Sequence, residues 1–349
     1  MNDSVYYIDY VIEKVQKLLS IDSPTGYTGE VIQYLQETYE SMGYETVITG
    51  KGGLLVDFGG EDADNGILLE THVDTLGGMV SQILPNGNLQ ISPLGGLVPA
   101  NCETENCRIV TRFDGSYEGT FQLRNASVHV NESFKTLERT FDNMEVLLDE
   151  KVFSEEDTRA LGIMEGDIVC MEPRTRYTRS GFLKSRFLDD KLSVGIALGI
   201  AKYLHDKKQK LPRRTWQHIT VYEEVGHGGA ASVPEGVTEA LSIDMGCVGD
   251  GLKCTEYQVS ICAKDAVGPY NYDMVTKLIR IAKEHQIDFA VDVYPHYGSD
   301  VDTTLKGGHD VKHGLIGAGV YASHGYERVH RDGIQAAWEL LKEYLLHKE

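Results

Sequence analysis

The hydrophobic period of this chain changes twice, near residues 76 and 183, and no single layered domain accommodates both patterns. Before the first change the pattern is α/β. Val5, Ile8, Val11, Ile12, Val15, Leu18 and Leu19 recur at helical spacing, and Pro24, Gly26 and Gly29 break the run. Val31, Ile32, Leu35, Tyr39 and Met42 mark a second helical face, with Gly43 as a candidate C-cap. Strand-like runs follow at 45–49, 54–58 and 66–71. Between 76 and 183 short β-like runs take over: MVSQIL, LQIS, CRIVTRF, YEGTFQL, SVHV, EVLL and DIVCM, with turn signals such as PNGN at 85–88. The acidic stretch DEKVFSEEDTRALGI is the one helical candidate there. The α/β pattern then resumes, with helices expected at 189–204, 272–284 and 334–346 and strands at 216–222 and 241–244. The predicted fold class is α/β: a discontinuous domain of residues 1–75 and 184–349 interrupted by a small β-barrel-like insert at 76–183. A length of 349 residues fits two such domains.

Charge narrows the partners. The chain carries 33 basic and 53 acidic residues, a net charge of −20. Such a surface repels phosphate backbones and anionic bilayers, so neither nucleic acid nor membrane is an expected partner. No apolar run reaches the ~18 residues of a membrane span. The opening MNDSVYYIDYVIEKVQ lacks a secretory signal's basic start and unbroken apolar stretch, so a cytoplasmic protein is expected. The six cysteines form no CxxC pair and read as reduced thiols. Asn125-Ala-Ser127 and Asn131-Glu-Ser133 match the glycosylation pattern by chance on that reading.

Candidate chemistry gathers where apolar runs end. In GILLETHVDTLGG (66–78) a strand stops at His72-Val73-Asp74, and ligands of α/β folds bind at C-terminal strand edges. His72 could hold a metal, with Asp74 orienting it or a neighbouring base. A structural histidine and a turn aspartate explain the pair when it is taken alone. In SRFLDDKLSVGIALGIA (185–201) Asp189 and Asp190 precede a helix. Capping accounts for at least one, and the other reading makes one of them a bridge between two metals. In WQHITVYEEVGHGGA (216–230) a strand ends at Glu223-Glu224. Adjacent buried acids repel unless paired or metal-bound, so one could ligate while the other stays free as a base. A solvated loop pair is the alternative. Asp244 after LSI and His324 in GVYASHGYERVH each read singly as a turn acid and an ordinary histidine. Together His72, Asp189, Glu224, Asp244 and His324 make a five-ligand set. Three carboxylates and a hydroxide balance two divalent cations. Mixed histidine and carboxylate ligation suits zinc, cobalt or manganese better than calcium.

The order HxD, DD before a helix, EEVG, strand-end Asp and late His resembles the M42 metallo-aminopeptidases, the glutamyl and tetrahedral aminopeptidase-like family, over nearly the whole chain. That resemblance implies a mixed-sheet zinc-peptidase domain with an inserted oligomerisation domain. It implies two metal ions, short peptide substrates, and a homo-oligomer built from dimers up to dodecamers. Carried over by motif, His72 and Asp244 hold one metal, Glu224 and His324 the other, and Asp189 bridges them. Choosing Asp189 over Asp190 follows the family's pattern. Glu223 becomes the general base, and Asp74 supports the site. The chain departs from the pattern at Lys191, where Arg is usual, at His227-Gly228-Gly229-Ala230, where LRGA is usual, and at His324-Gly325, where Ser-Pro or Thr-Pro commonly follows the histidine. Tyr297-Gly298-Ser299-Asp300 resembles a late substrate-site loop, without an expected direct catalytic role. Two other functions stand beside the peptidase: a metal-independent, cellulase-like glycosidase using paired carboxylates, and a non-catalytic assembly protein with an inherited metal site.

Overall fold

The structure, a computed structural model, describes residues 3–348. A twelve-stranded mixed sheet forms the larger domain. At its centre the strands Arg213–Thr220, Asp62–His72, Val237–Ile243 and Lys312–Tyr321 run parallel to one another. Parallel strands covered on both faces need buried, mainly apolar runs, and Ile67–Leu69 and Ala240–Ile243, with the buried Ser242 inside it, supply them. Antiparallel flanks, including Leu54–Gly59 and Val259–Lys264, extend the sheet on either side.

The helices Asp3–Leu19, Leu188–Lys207 and Arg331–Leu346 share one core, in which Val11, Val15, Leu192, Ile196 and Leu341 are buried. Gly199 lets the first two approach, since a Cβ there would collide with Val11 and sit 3.2 Å from the Trp338 ring nitrogen. The helix Gly29–Ser41 covers a second core with Leu54, Val56, Ile219 and Val221.

The β-rich stretch closes into a six-stranded barrel, in the order Gly77–Ile83, Leu89–Leu94, Met144–Leu148, Ser116–Leu123, Glu105–Val110 and Ile168–Met171. Its interior is filled by Val80, Ile91, Ile109, Phe121, Val146 and Val169. PNGN makes a hairpin turn, with Leu84 N–H bonded to Asn88 O and Gly87 at φ +86°. The SVHV run is not a strand. Val130 N–H closes a turn onto Ser127 O, and both valines are exposed, so alternation has no core to face. The short strands Arg176–Tyr177 and Phe182–Ser185 sit outside the barrel and extend the large sheet through Glu327–His330. The six cysteines are free thiols. Among the described residues no helix is long and apolar enough to cross a membrane.

Candidate metal centre

The central parallel strands deliver the candidate residues to one edge. His72 closes the strand Asp62–His72, Glu223-Glu224 lie just past Thr220, and Asp244 follows Ile243. Asp189 and Asp190 enter from the start of the helix Leu188–Lys207, in non-helical backbone. His324 comes from the loop after Lys312–Tyr321.

All eight residues singled out from sequence meet here. Asp189 faces two histidines, with Oδ1 3.1 Å from His72 Nε2 and Oδ2 3.6 Å from His324 Nε2. His324 Nε2 is also 3.7 Å from Glu224 Oε2, and His72 Nε2 is 3.8 Å from Glu223 Oε2. Ligand atoms of His72, Asp189 and Glu224 lie within 4.8 Å of one another, as do those of His72, Asp190 and Asp244. The second group brings in Asp190, which the sequence reading left as the non-bridging acid. Its Oδ2 accepts the His72 backbone N–H at 3.3 Å, while its buried Oδ1 has no hydrogen-bond partner. Asp74 works through both its main chain and its side chain. Its carbonyl oxygen lies 3.0 Å from His72 Nδ1, which leaves Nε2 aimed at the carboxylates. Its carboxylate accepts the Glu223 and Glu224 N–H groups at 3.2 and 3.4 Å and the Thr25 hydroxyl at 2.6 Å.

The electrostatics call for positive charge. Burial pushes Asp190, Glu223 and Glu224 well above the usual carboxylate range, helped in each case by neighbouring acids. Burial, then Asp189, lifts Asp244 to about 7. Burial would lower His72, yet Asp189 and the surrounding carboxylates overcome it and hold its pKa well above normal. Crowded carboxylates, two inward histidines and an orphaned oxygen are a donor set suited to divalent cations.

Sequence reasoning missed four contributors. Glu327 accepts the Asp189 N–H with Oε2 and the His324 N–H with Oε1, both at 3.1 Å. Gly96, from the segment leaving the barrel strand Leu89–Leu94, places its carbonyl 3.3 Å from His324 Nδ1. Asn101 donates to the His324 carbonyl at 3.0 Å. Thr25 anchors Asp74. Only Glu327 left a local trace, as the acid three residues after His324.

Comparison with known proteins identifies the family. The M42 glutamyl aminopeptidase family matches residues 52–340. The chain is 43% identical over 334 residues to YhfE of Bacillus subtilis (strain 168), covering 96% of both chains. The chain belongs to the M42 family. Among solved structures, a TET aminopeptidase from Thaumarchaeota archaeon SCGC AB-539-E09 superposes with a TM-score of 0.88 at 20% identity, over 98% of this chain and 97% of that one. The TET1 peptidase of Pyrococcus horikoshii, which can assemble into a tetrahedron or a large octahedral shell, does so at 0.84 and 20% identity, over 97% of this chain and all of that one. The M42 fold thus spans both the mixed-sheet domain and the barrel.

Proposed function

We propose that this M42 chain is an aminopeptidase that removes N-terminal residues from short peptides with two divalent cations, zinc or cobalt before manganese. The carrying observation is Asp189, whose two oxygens face His72 and His324 separately. His72 and Asp244 would hold one cation, Glu224 and His324 the other, and Asp189 would join them. Asp190, with its orphaned oxygen beside His72, supports the first position. When bound, such cations supply Lewis acidity to a scissile carbonyl and to water.

The chain's own residues divide the remaining work. Glu223 and Glu224 leave the same turn but differ in access: the Glu223 side chain is 18% exposed and that of Glu224 5%. Glu223 therefore reaches solvent and substrate, takes the proton of the attacking water, and returns it to the leaving amine. Glu224 stays against His324 as a ligand. Asp74 fixes the main chain of both. A glycosidase would give His72 and His324 no role, although both converge on the same carboxylates.

Glu223→Gln should keep the cations and lose about a hundredfold or more in kcat. Metal analysis beside a panel of aminoacyl substrates, before and after chelation, tests this. Chelation should abolish cleavage, and the panel reads the preferred N-terminal residue. Near-normal turnover by metal-loaded Glu223→Gln would reject the base assignment, and chelator-resistant sugar cleavage would reject the peptidase. Because the matching peptidases assemble, we also propose a homo-oligomer joined through the barrel, which mass determination in solution checks. Six free thiols fit a reducing, cytoplasmic setting.

A further inference from the structure

We propose that Asp300 is a positioning residue for this reaction: its carboxylate brackets the turn that carries Glu223 and Glu224. The inference rests on the peptidase reading above and adds a residue that sequence motifs placed only near substrate.

Asp300 begins the helix Asp300–Lys306 and is 2% exposed. Its Oδ2 accepts the Thr220 hydroxyl at 2.6 Å, at the last residue of the strand leading to the turn. Its Oδ1 accepts the Gly229 N–H at 2.6 Å, just beyond the turn. One buried carboxylate thus closes a ring around residues 220–229, with both acids inside it. Thr304, one helical turn further on, extends the contact. Its Oγ1 lies 2.9 Å from Gly229 O and 2.7 Å from Glu70 Oε1, on the strand that ends at His72. One short helix therefore registers the strand of a metal ligand against the turn of the base. From the outer side Lys51 donates to the carbonyls of His227 and Gly228.

The glycines make this approach possible. A Cβ at Gly229 would stand 2.5 Å from Asp300 O and 2.6 Å from Thr304 Oγ1. One at Gly228 would collide with Asp300 Oδ1 and sit 2.7 Å from Thr220 Oγ1. Gly228, one of the two positions that depart from the LRGA pattern, lies against Asp300 Oδ1, while Gly229, which donates to it, matches the pattern. The Asp300 carboxylate bonds Thr220 and Gly229, the two ends of the turn, rather than a proposed metal ligand. It acts by fixing where Glu223 stands relative to His72, and misplacing a reacting group by about 1 Å costs on the order of a hundredfold.

Asp300→Ala, Asp300→Asn and Thr220→Val test the bracket in the full-length, metal-reconstituted protein. Asn can accept from Gly229 with its oxygen and donate to Thr220, so it should rescue. We expect metal content and KM to hold while kcat falls about tenfold to a hundredfold in Asp300→Ala, less in Thr220→Val, and returns to within about threefold in Asp300→Asn. Amide exchange at Gly229 should quicken in Asp300→Ala and Thr220→Val. Wild-type kcat per metal-loaded molecule in either of these variants overturns the proposal, whatever happens to Tm. So does a loss explained wholly by lost metal. If Asp300→Ala does not fold, the near-isosteric Thr220→Val carries the test. A wild type that binds metal but cleaves no peptide refutes the peptidase reading instead. The bracket then stands or falls on Gly229 exchange alone, and unchanged protection in the variants refutes it.

Discussion

His324 shows how one side chain of the centre is set by residues far from it in sequence. Its backbone lies in the left-handed region at φ +59°, which costs energy for a residue with a Cβ. Glu327 and Asn101 hold its N–H and carbonyl, and Gly96 meets its ring. A Cβ at Gly96 would stand 2.7 Å from His324 Nδ1 and 2.8 Å from Cε1. Gly96→Ala should therefore turn the imidazole and weaken binding of the cation proposed to sit between it and Glu224 about tenfold to a hundredfold. Turnover measured against added metal checks this: the half-saturating concentration should rise while excess metal restores most of the rate. An unchanged metal dependence would mean that the ring is not held this way. The resemblance proposed His324 itself as a ligand. Gly96 was not legible, because a glycine's role as the wall of a ring more than 200 positions away leaves no local pattern.

At the scale of elements, the parallel strands fix what lies at each end. Their C-terminal ends carry the acids and histidine, while a different cluster ties the opposite ends together. Arg213, at the start of Arg213–Thr220, pairs with Glu239 near the start of Val237–Ile243 at 2.8 Å and also bonds Asn65. Burial pushes the Glu239 carboxyl up, but hydrogen bonds from Tyr344 and Arg213 prevail and hold it below the usual range. A depressed folded-state pKa contributes stability that is present above the unfolded value of about 4.3 and lost as pH falls through the folded value. Glu239→Gln should cost about 3 kcal/mol at pH 7, because Arg213 keeps its buried charge without the counter-ion. Denaturant unfolding should show that penalty shrinking as pH drops below about 4. A pH-independent penalty would contradict the ion pair. Strand existence was readable in these elements because Ile67–Leu69 is a continuous apolar run and Ala240–Ile243 is apolar but for Ser242. Strand ends were less so: the strand expected at 66–71 starts at Asp62, where pairing with Arg213 extends it beyond the apolar run. In SVHV the β-branched composition was right for a strand, but both valines are exposed in the chain and the segment turns back at Ser127 instead.

Across the whole molecule, the first periodicity change, near residue 76, falls where the chain leaves the large sheet, but the chain rejoins that sheet at Arg176–Tyr177, before the second change near 183. The barrel does more than interrupt it, since the segment after Leu89–Leu94 brings Gly96 and Asn101 to the centre. The order of the proposed ligands was legible because each sits at or just beyond the end of a strand or at the start of a buried helix. Thr25 and the bracket made by Asp300 were not, because those contacts exist only after distant segments meet, and Glu327 left only its spacing from His324. Cation binding by the buried carboxylates, as proposed, would also tie global stability to metal occupancy. Metal at a hundred times its dissociation constant should stabilise the fold by about 2.7 kcal/mol, and chelation should remove that gain. Thermal unfolding with and without chelator measures it, and a Tm indifferent to chelation would argue against a buried cation site. The most direct test of the central claim is metal content per chain after reconstitution and dialysis, in wild type and Asp189→Asn, read beside aminopeptidase rate. The account predicts two ions per wild-type chain, with rate rising as they load, and loss of paired binding and activity in Asp189→Asn. Full activity in metal-free protein, or an unaltered pair of ions in Asp189→Asn, would contradict it.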